Sequence, residues 1–275
     1  MLVDVLPHLA CPHCGAALDQ AGGQLRCASG HVFDIARQGY VNLVAGSAPV
    51  AGDSAEMVAA RSAFLAAGHF RPITDAVVAA ASPAAGGCVV DLGAGTGHYL
   101  AAVLDAGPDR VGLALEVSKA ALRRAARAHP RLGAVGCDVW AALPVRDETV
   151  SLVLNVFAPR NPAELARVVR PGGGLVVVTP TVAHLAGLVQ ELGLLTVAPD
   201  KSSRTAAALS PYFGLSTQEE CEFDMELPHE DVLSLVGMGP SAWHVGAATL
   251  RERMAALPDP VRVTASVLVT AFRRA

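Results

Sequence analysis

Short apolar runs separated by amphipathic stretches dominate the middle of the chain. The runs are CVVDL (88–92), RVGLALE (110–116), the weaker GAVGCD (133–138), VSLVLNVF (150–157) and GGLVVVTP (173–180). Each is short, continuous and bounded by turn-forming residues, the mark of a strand covered on both faces. Residues 98–106, 118–128 and 162–169 lie between them and read as helices. Strands alternating with helices of this length predict βαβ units and a parallel sheet, an α/β fold. Near the C-terminus the period changes. Val261, Val263, Ala265, Val267 and Val269 alternate with other residues, which predicts an antiparallel strand at the sheet edge.

Upstream, DSAEMVAARSAFLAAGH (53–69) predicts a helix. Asp53 is placed to cap it, Glu56 completes a capping-box pattern, and Gly68 ends it. Met57, Ala60, Phe64 and Leu65 share one face. A second helix is expected over 72–81, while AGSAPVAGD (45–53) reads as a loop. After Pro180 the pattern predicts one more helix, then an irregular stretch rich in Ser, Thr and Pro. No internal repeat is apparent.

Composition narrows the class. With 52% hydrophobic and 17% charged residues in 275, the chain can bury a sizeable core. No apolar run is long enough to span a membrane; the most apolar region, 172–197, is broken by Pro180, His184, Gln190 and Glu191. Arginine outnumbers lysine 19 to 2, the bias of a GC-rich genome. The net charge of −4 does not advertise a nucleic-acid binder. Between Arg110 and Arg131, however, six basic residues face only Glu116, either a solvated helix face or a phosphate-contacting patch.

CPHCGAALDQAGGQLRCASGH (11–31) carries the first chemistry. Two cysteines in C-x2-C, twelve residues to Cys27 and three more to His31 are spaced as a tetrahedral zinc site. A redox pair would want a βαβ context, and none surrounds it. A disulfide framework suits a secreted chain, yet MLVDVLPHLA carries Asp4 and no basic start, so it does not read as a secretory leader. Four ligands leave no open position, which makes the zinc structural. His8 and His13 are expected to face solvent rather than ligate. The cysteine usage fits a reducing cytoplasm.

VVDLGAGTGHYL (89–100) carries the second. Gly93, Gly95 and Gly97 follow the strand that ends near Asp91, and Glu116 closes the next strand, suited to a ribose hydroxyl pair. A dinucleotide fingerprint would read G-x-G-x-x-G with a pyrophosphate over the helix. Here Asp91 stands where it would repel a pyrophosphate but could serve the ammonium of S-adenosyl-L-methionine (SAM). Asp138, after the third strand, suits an adenine amino group or is simply a turn residue. ELARVVRPGGGLVVVTP (164–180) resembles the helix, turn and fifth strand of the Rossmann-like class I SAM-dependent methyltransferases. A small zinc-binding domain at the N-terminus completes the expected architecture: 1–37 zinc-binding, 38–70 linker and helix, 71–275 methyltransferase.

The order of segments is similar to the bacterial 23S rRNA (guanine-N1)-methyltransferases, including their tylosin (macrolide) resistance branch. The matching pieces are CPHC…C…GHVFD, GYVNL, GDSAEMVAARSAFLAAGHF, DLGAGTGHY, ELARVVRPGG, TPTVAHL and GPSAWH, which span nearly the whole chain. The resemblance implies zinc on Cys11, Cys14, Cys27 and His31, and SAM contacts at Gly95, Thr96, His184 and position 70. The family commonly has Tyr at that last position; Phe70 keeps the ring but loses a phenolic hydrogen bond. Core packing would equally explain Phe70, and a satisfied histidine would explain His184. The implied substrate is a hairpin loop of 23S rRNA near the peptide exit tunnel, with guanine 748 the expected target in this branch, and a homodimer would suit it.

NVFAPR (155–160) ends the fourth strand where this fold presents its acceptor. Enzymes acting on exocyclic amines often carry Asn/Asp-Pro-Pro-aromatic there; its absence leans toward a ring nitrogen. Asn155 is expected to orient guanine and act as the catalytic residue, with Phe157 lining the pocket. Arg26, Arg37, Arg123, Arg124, Arg127 and Arg160 are candidate RNA contacts. Two other readings compete: a small-molecule SAM-dependent methyltransferase with a structural zinc knuckle, and a zinc-dependent binding protein without catalysis.

Overall fold

The structure is a computed structural model that describes residues 2–46, 52–84, 86–239 and 247–275. The chain opens with a single helical turn, α1 (Leu2–Val5), then folds into a small antiparallel sheet of β1 (Leu18–Ala21), β2 (Gln24–Cys27) and β3 (Val32–Asp34). A module this small cannot close a core alone. It borrows one. Leu9, Leu18 and Leu25 are buried in the same cluster as Val41, Val135 and Val145 of the larger body. Bridges from Leu9 to Val145, and from Ala10 N–H to the Pro144 carbonyl, fasten it there.

The segment expected as a linker contributes β4 (Tyr40–Asn42) and α2 (Ala55–Ala66). Asp53 does not cap α2. Ser54 does, its hydroxyl accepting the Met57 N–H at 3.2 Å, because the Asp53 carboxylate is drawn instead to Arg61 at 2.6 Å. Helix α3 (Arg71–Ala81) follows, close to the expected bounds.

The alternating pattern then appears as predicted: β5 (Gly87–Leu92), α4 (His98–Asp105), β6 (Arg110–Glu116), α5 (Lys119–Ala125), β7 (Leu132–Gly136), β8 (Val150–Val156), α6 (Pro162–Val168) and β9 (Val169–Pro180). Every residue of β8 is buried, which is why it reads as a continuous apolar run. Beyond it come α7 (Ala186–Leu192), α8 (Lys201–Leu209), β10 (Phe213–Leu227), α9 (His229–Gly237), α10 (Ala247–Met254) and β11 (Val261–Arg274). The large sheet has the order β10-β11-β9-β8-β5-β6-β7-β4, with β11 antiparallel to both its neighbours.

Two expectations fail here. The C-terminal alternation belongs to β11, which lies inside the sheet; β10 is the edge. The irregular stretch contains β10, whose residues 214–220 are all exposed and whose second half carries Glu220, Glu222, Asp224 and Glu226. Charge along a solvated edge protects it from pairing but hides it from a hydrophobic pattern. The remaining signal was Cys221, Phe223, Met225 and Leu227, alternating.

Apolar side chains fill both faces of the sheet. Phe64, Ile73, Val77, Leu100, Leu122 and Val232 cover one; Leu165, Val168 and the zinc module cover the other. The basic run from Arg110 to Arg131 divides. Arg110 donates to the carbonyls of Ala81 and Ala84, and Arg131 to those of Leu104, Gly107, Pro108 and Arg110. These two hold turns together. Lys119, Arg123 and Arg124 on α5, and Arg127 in the turn after it, remain exposed. Among the described residues, no helix is long and apolar enough to cross a membrane.

Candidate functional site

Turns on either side of β1 and β2 bring the four predicted metal ligands together, all their donor atoms lying within 4.8 Å of one another. Cys14 Sγ and Cys27 Sγ are 3.7 Å apart, and His31 Nδ1 lies 3.5 Å from Cys11 Sγ and 3.3 Å from Cys27 Sγ. Tetrahedral zinc with ordinary bond lengths requires about 3.8 Å between sulfurs and about 3.6 Å between sulfur and nitrogen. The donor set and its spacing fit zinc, with no fifth place for substrate. The Ser29 hydroxyl, then the Ala16 backbone N–H, pull the Cys14 thiol down to about 6, toward the thiolate a metal needs. His8 and His13 are not ligands. His13 is exposed as expected, stacked on Phe33 at 5.8 Å and 4.9 Å from His31, whereas His8 is half-buried.

The second site lies at the C-terminal ends of β5, β6, β7 and β8, where open α/β sheets bind ligands. Its turn needs glycine for a stated reason. Gly93 has φ +65°, and a Cβ there would stand 2.8 Å from Ala158 Cβ. Gly97, at φ +79°, would put one 3.1 Å from Ala128 Cβ. The turn therefore packs against both the acceptor loop and α5. An outer hollow of about 250 Å³ is lined by Glu116, Asp138, Trp140, Phe157 and Ala158 among others. A narrower one of about 40 Å³ shares Gly93, Gly95 and Phe157 with it and adds Phe70, Asp91, Thr96 and Tyr99. Larger hollows of about 380 and 490 Å³ lie elsewhere, one against α3 and β9, the other under the zinc module. Neither is lined by the glycine turn.

Two acids of the cleft are held by backbone. Glu116 accepts N–H bonds from Gly95 (2.9 Å), Val117 (2.7 Å) and Ser118 (2.8 Å), which ties the end of β6 to the glycine turn. Asp138 accepts from Trp140 N–H at 2.9 Å, so it is a turn residue that also lines the outer hollow. Asp91 is fully buried; burial, then the nearby Glu116, pushes its carboxyl well above the usual carboxylate range. Four carboxylates, Asp53, Asp91, Glu116 and Asp138, line the two hollows against one permanent cation, Arg61. SAM, whose sulfonium and ammonium outnumber its single carboxylate, fits that balance. A pyrophosphate does not.

His184, Phe70 and Phe157 come together although 114 and 27 residues of sequence separate the first from the other two. The His184 ring centre is 6.2 Å from that of Phe70 and 5.9 Å from that of Phe157. Phe70 itself is buried edge-on against Phe64. Burial, first, and then the charge of Lys201 depress His184 to about 4. Ser266 N–H donates to Nδ1 at 3.2 Å, which leaves the ring hydrogen on Nε2. The neutral ring is thus a donor.

Asn155 is not brought into the cleft. It is fully buried, its Nδ2 donates to the Pro159 carbonyl at 2.9 Å, and its Oδ1 accepts from Arg160 Nε at 2.7 Å. Arg160 is spent there too, bonding Thr205 Oγ1 and the Ala158 carbonyl, so it does not offer a free guanidinium to RNA. Together they anchor the loop from beneath. Phe157, at its crest, is 37% exposed and holds φ +55°, a left-handed backbone that costs a phenylalanine about 1–3 kcal/mol. Sequence reasoning missed Arg61 and Trp140. Arg61 had a signal, a charge four residues after Met57 on the apolar face of α2.

A family profile described as "RlmA, N-terminal" matches residues 9–48, and one described as "Methyltransferase domain" matches residues 89–173. A "23S rRNA (guanine(748)-N(1))-methyltransferase" of Streptomyces fradiae is 49% identical over 99% of both chains. The chain belongs to the 23S rRNA (guanine-N1)-methyltransferases. A Micromonospora griseorubida relative, described as "Putative 23S rRNA (guanine-N(1)-)-methyltransferase", is 54% identical over 98% of both chains. A solved chain from Bacillus halodurans described as a "putative methyltransferase" shares the fold, with TM-score 0.51 and 16% identity over 72% of this chain and 97% of that one. This rRNA methyltransferase is therefore a SAM-dependent enzyme with a structural zinc ribbon, and the small-molecule and non-catalytic readings fall away.

Proposed function

We propose that the enzyme methylates N1 of guanine 748 in a hairpin loop of 23S rRNA, in the cytoplasm, and so confers resistance to tylosin-type macrolides. The observation that carries this is the near full-length identity to the Streptomyces fradiae enzyme, set beside a cleft whose charge suits SAM. When bound, SAM supplies an electrophilic methyl group. The protein's task is alignment, which through effective molarity supplies much of the rate.

In this reading Gly93, Gly95, Thr96 and Gly97 take the methionine end, with Asp91 beside its ammonium. Glu116 takes the ribose hydroxyls and Asp138 the adenine amino group. Phe70 lines the inner hollow, and His184 packs against it and Phe157. Guanine must leave its stack to expose N1, at a cost of a few kcal/mol, and Phe157 offers a ring to receive it. His184 cannot take the N1 proton, since Nδ1 is spent on Ser266; its Nε2–H orients instead. Asn155 acts through the loop it pins. The zinc ribbon docks the hairpin, with Lys119, Arg123, Arg124 and Arg127 along the phosphates, and a second copy completes the grip.

The test is incubation with labelled SAM and unmodified 23S rRNA, then mass-spectrometric mapping of the methylated nucleotide. Label at N1 of guanine 748 is expected. Label at another nucleotide moves the target within the family; label in no RNA refutes the reading. Light scattering reports the second copy, and weakening of RNA affinity with salt reports the phosphate contacts.

A further inference from the structure

Among the described residues that line the cleft, one is a permanent cation. Arg61, from α2, lines both the outer and the inner hollow. Its stem lies against the glycine turn: a Cβ on Gly95 would stand 3.4 Å from Arg61 Cδ and 3.8 Å from Nε. Nη2 donates to Asp53 Oδ2 at 2.6 Å and to the Met238 carbonyl at 2.8 Å, which fixes the guanidinium between α2 and the end of α9. A guanidinium carries five N–H donors. Those two contacts leave three, and among the described residues Nε is buried without an acceptor. A buried donor left unmet is costly unless something arrives to meet it.

The inner hollow narrows what that something is. Its other titratable groups offer no positive charge: burial lowers His98 and keeps Tyr99 protonated, and Asp91 is an acid. The methionine end of SAM presents an ammonium and a carboxylate close together. Asp91 answers the ammonium. Nothing but Arg61 among the described lining residues answers the carboxylate with a charge.

We propose that Arg61 binds the α-carboxylate of SAM through the N–H groups its protein contacts leave free. The inference rests on the methyltransferase reading and names the group that discriminates the intact cofactor from its nucleoside fragment. Asp53 then serves as the orienting partner of the clamp, which explains why it gives up the helix cap to Ser54.

The test compares two ligands that differ by the amino acid: S-adenosylhomocysteine, which carries the carboxylate, and methylthioadenosine, which does not. Calorimetry on the zinc-loaded protein measures both. Arg61→Met is expected to weaken S-adenosylhomocysteine by about 10- to 100-fold, the worth of a charged hydrogen bond, and to change methylthioadenosine less than about threefold. Arg61→Lys, which keeps the charge and most of the stem, is expected to give a smaller loss confined to S-adenosylhomocysteine, and decides the matter should Arg61→Met fail to fold. Equal losses for both ligands, or no loss for either, overturn the inference. Wild-type protein that binds neither ligand overturns the methyltransferase reading, and the inference with it.

Discussion

The zinc knuckle and the glycine-rich cleft are both binding sites, built from opposite materials. In the knuckle four side chains from within 21 residues supply all the chemistry, and backbone only turns the corners. In the cleft the backbone does most of the shaping: it bends sharply at Gly93 and Gly97, and it occupies Glu116 and Asp138 with its own N–H groups. The side chains there come from α2, β5, β6, β8 and the segment after β9. A site made of side chains is hurt by deleting one of them. A site made of backbone is hurt by adding an atom.

The largest effect is expected at the knuckle. Cys27→Ser should reduce bound zinc from one per chain to none, measured by metal analysis, and RNA affinity should fall at least about tenfold as the docking surface loosens. Affinity for S-adenosylhomocysteine should change less than about threefold. A comparable loss of cofactor binding would break the comparison, since it would make the knuckle part of the cleft. The shared core around Leu9, Leu18, Leu25 and Val145 is the route by which that could happen.

The same contrast decides what the sequence revealed. The zinc ligands were legible because spacing alone constrains a local site. The parallel strands were legible because burial on both faces leaves a continuous apolar run. Gly93 and Gly97 were legible as a motif, but their reason, contact with Ala158 and Ala128, needed the fold. Asn155 was misread because position at a strand end does not say where an amide points; here it points down, into Pro159 and Arg160. The ring cluster of Phe70, Phe157 and His184 assembles only when α3, the acceptor loop and the segment after β9 meet. Strand β10 was hidden by its acids. Residues 240–244 of GPSAWH lie outside the described residues, as does most of the loop at 45–53.

Adding one methyl to the cleft is the second test. Gly93→Ala places a Cβ 2.8 Å from Ala158 Cβ at φ +65°, and should cost about 2–4 kcal/mol of stability in urea unfolding, from strain and overpacking together. Ala158→Gly in the same chain should recover the overpacking part and leave the strain. No recovery would show that the turn and the acceptor loop are not coupled. Asn155→Ala comes next, with a loss of about 2 kcal/mol for the two bonds it makes and a fall in kcat with KM for SAM little changed. Asn155→Asp, which keeps an acceptor for Arg160 Nε, should recover part of both. An unaltered kcat in Asn155→Ala would remove the residue from the reaction altogether.

The effect at His184, which falls under about 1 kcal/mol by pH 6, is the most specific, because it reads burial beside the cleft through a proton. His184 titrates near 4 in the folded chain, chiefly through burial, against about 6.5 when unfolded. Between those values the unfolded chain binds a proton that the folded chain refuses, so acid favours unfolding; the stability contribution is intact above about 6.5 and is lost as the pH falls toward 4. The loss attributable to this ring is about 2 kcal/mol at pH 5 and under about 1 kcal/mol at pH 6. His184→Gln carries no such proton. Urea unfolding at pH 8 and pH 5 should therefore show a smaller acid-induced loss in the variant, by about that amount. An equal loss in both proteins would mean that the ring is solvated in solution and that its packing against Phe70 and Phe157 does not persist there.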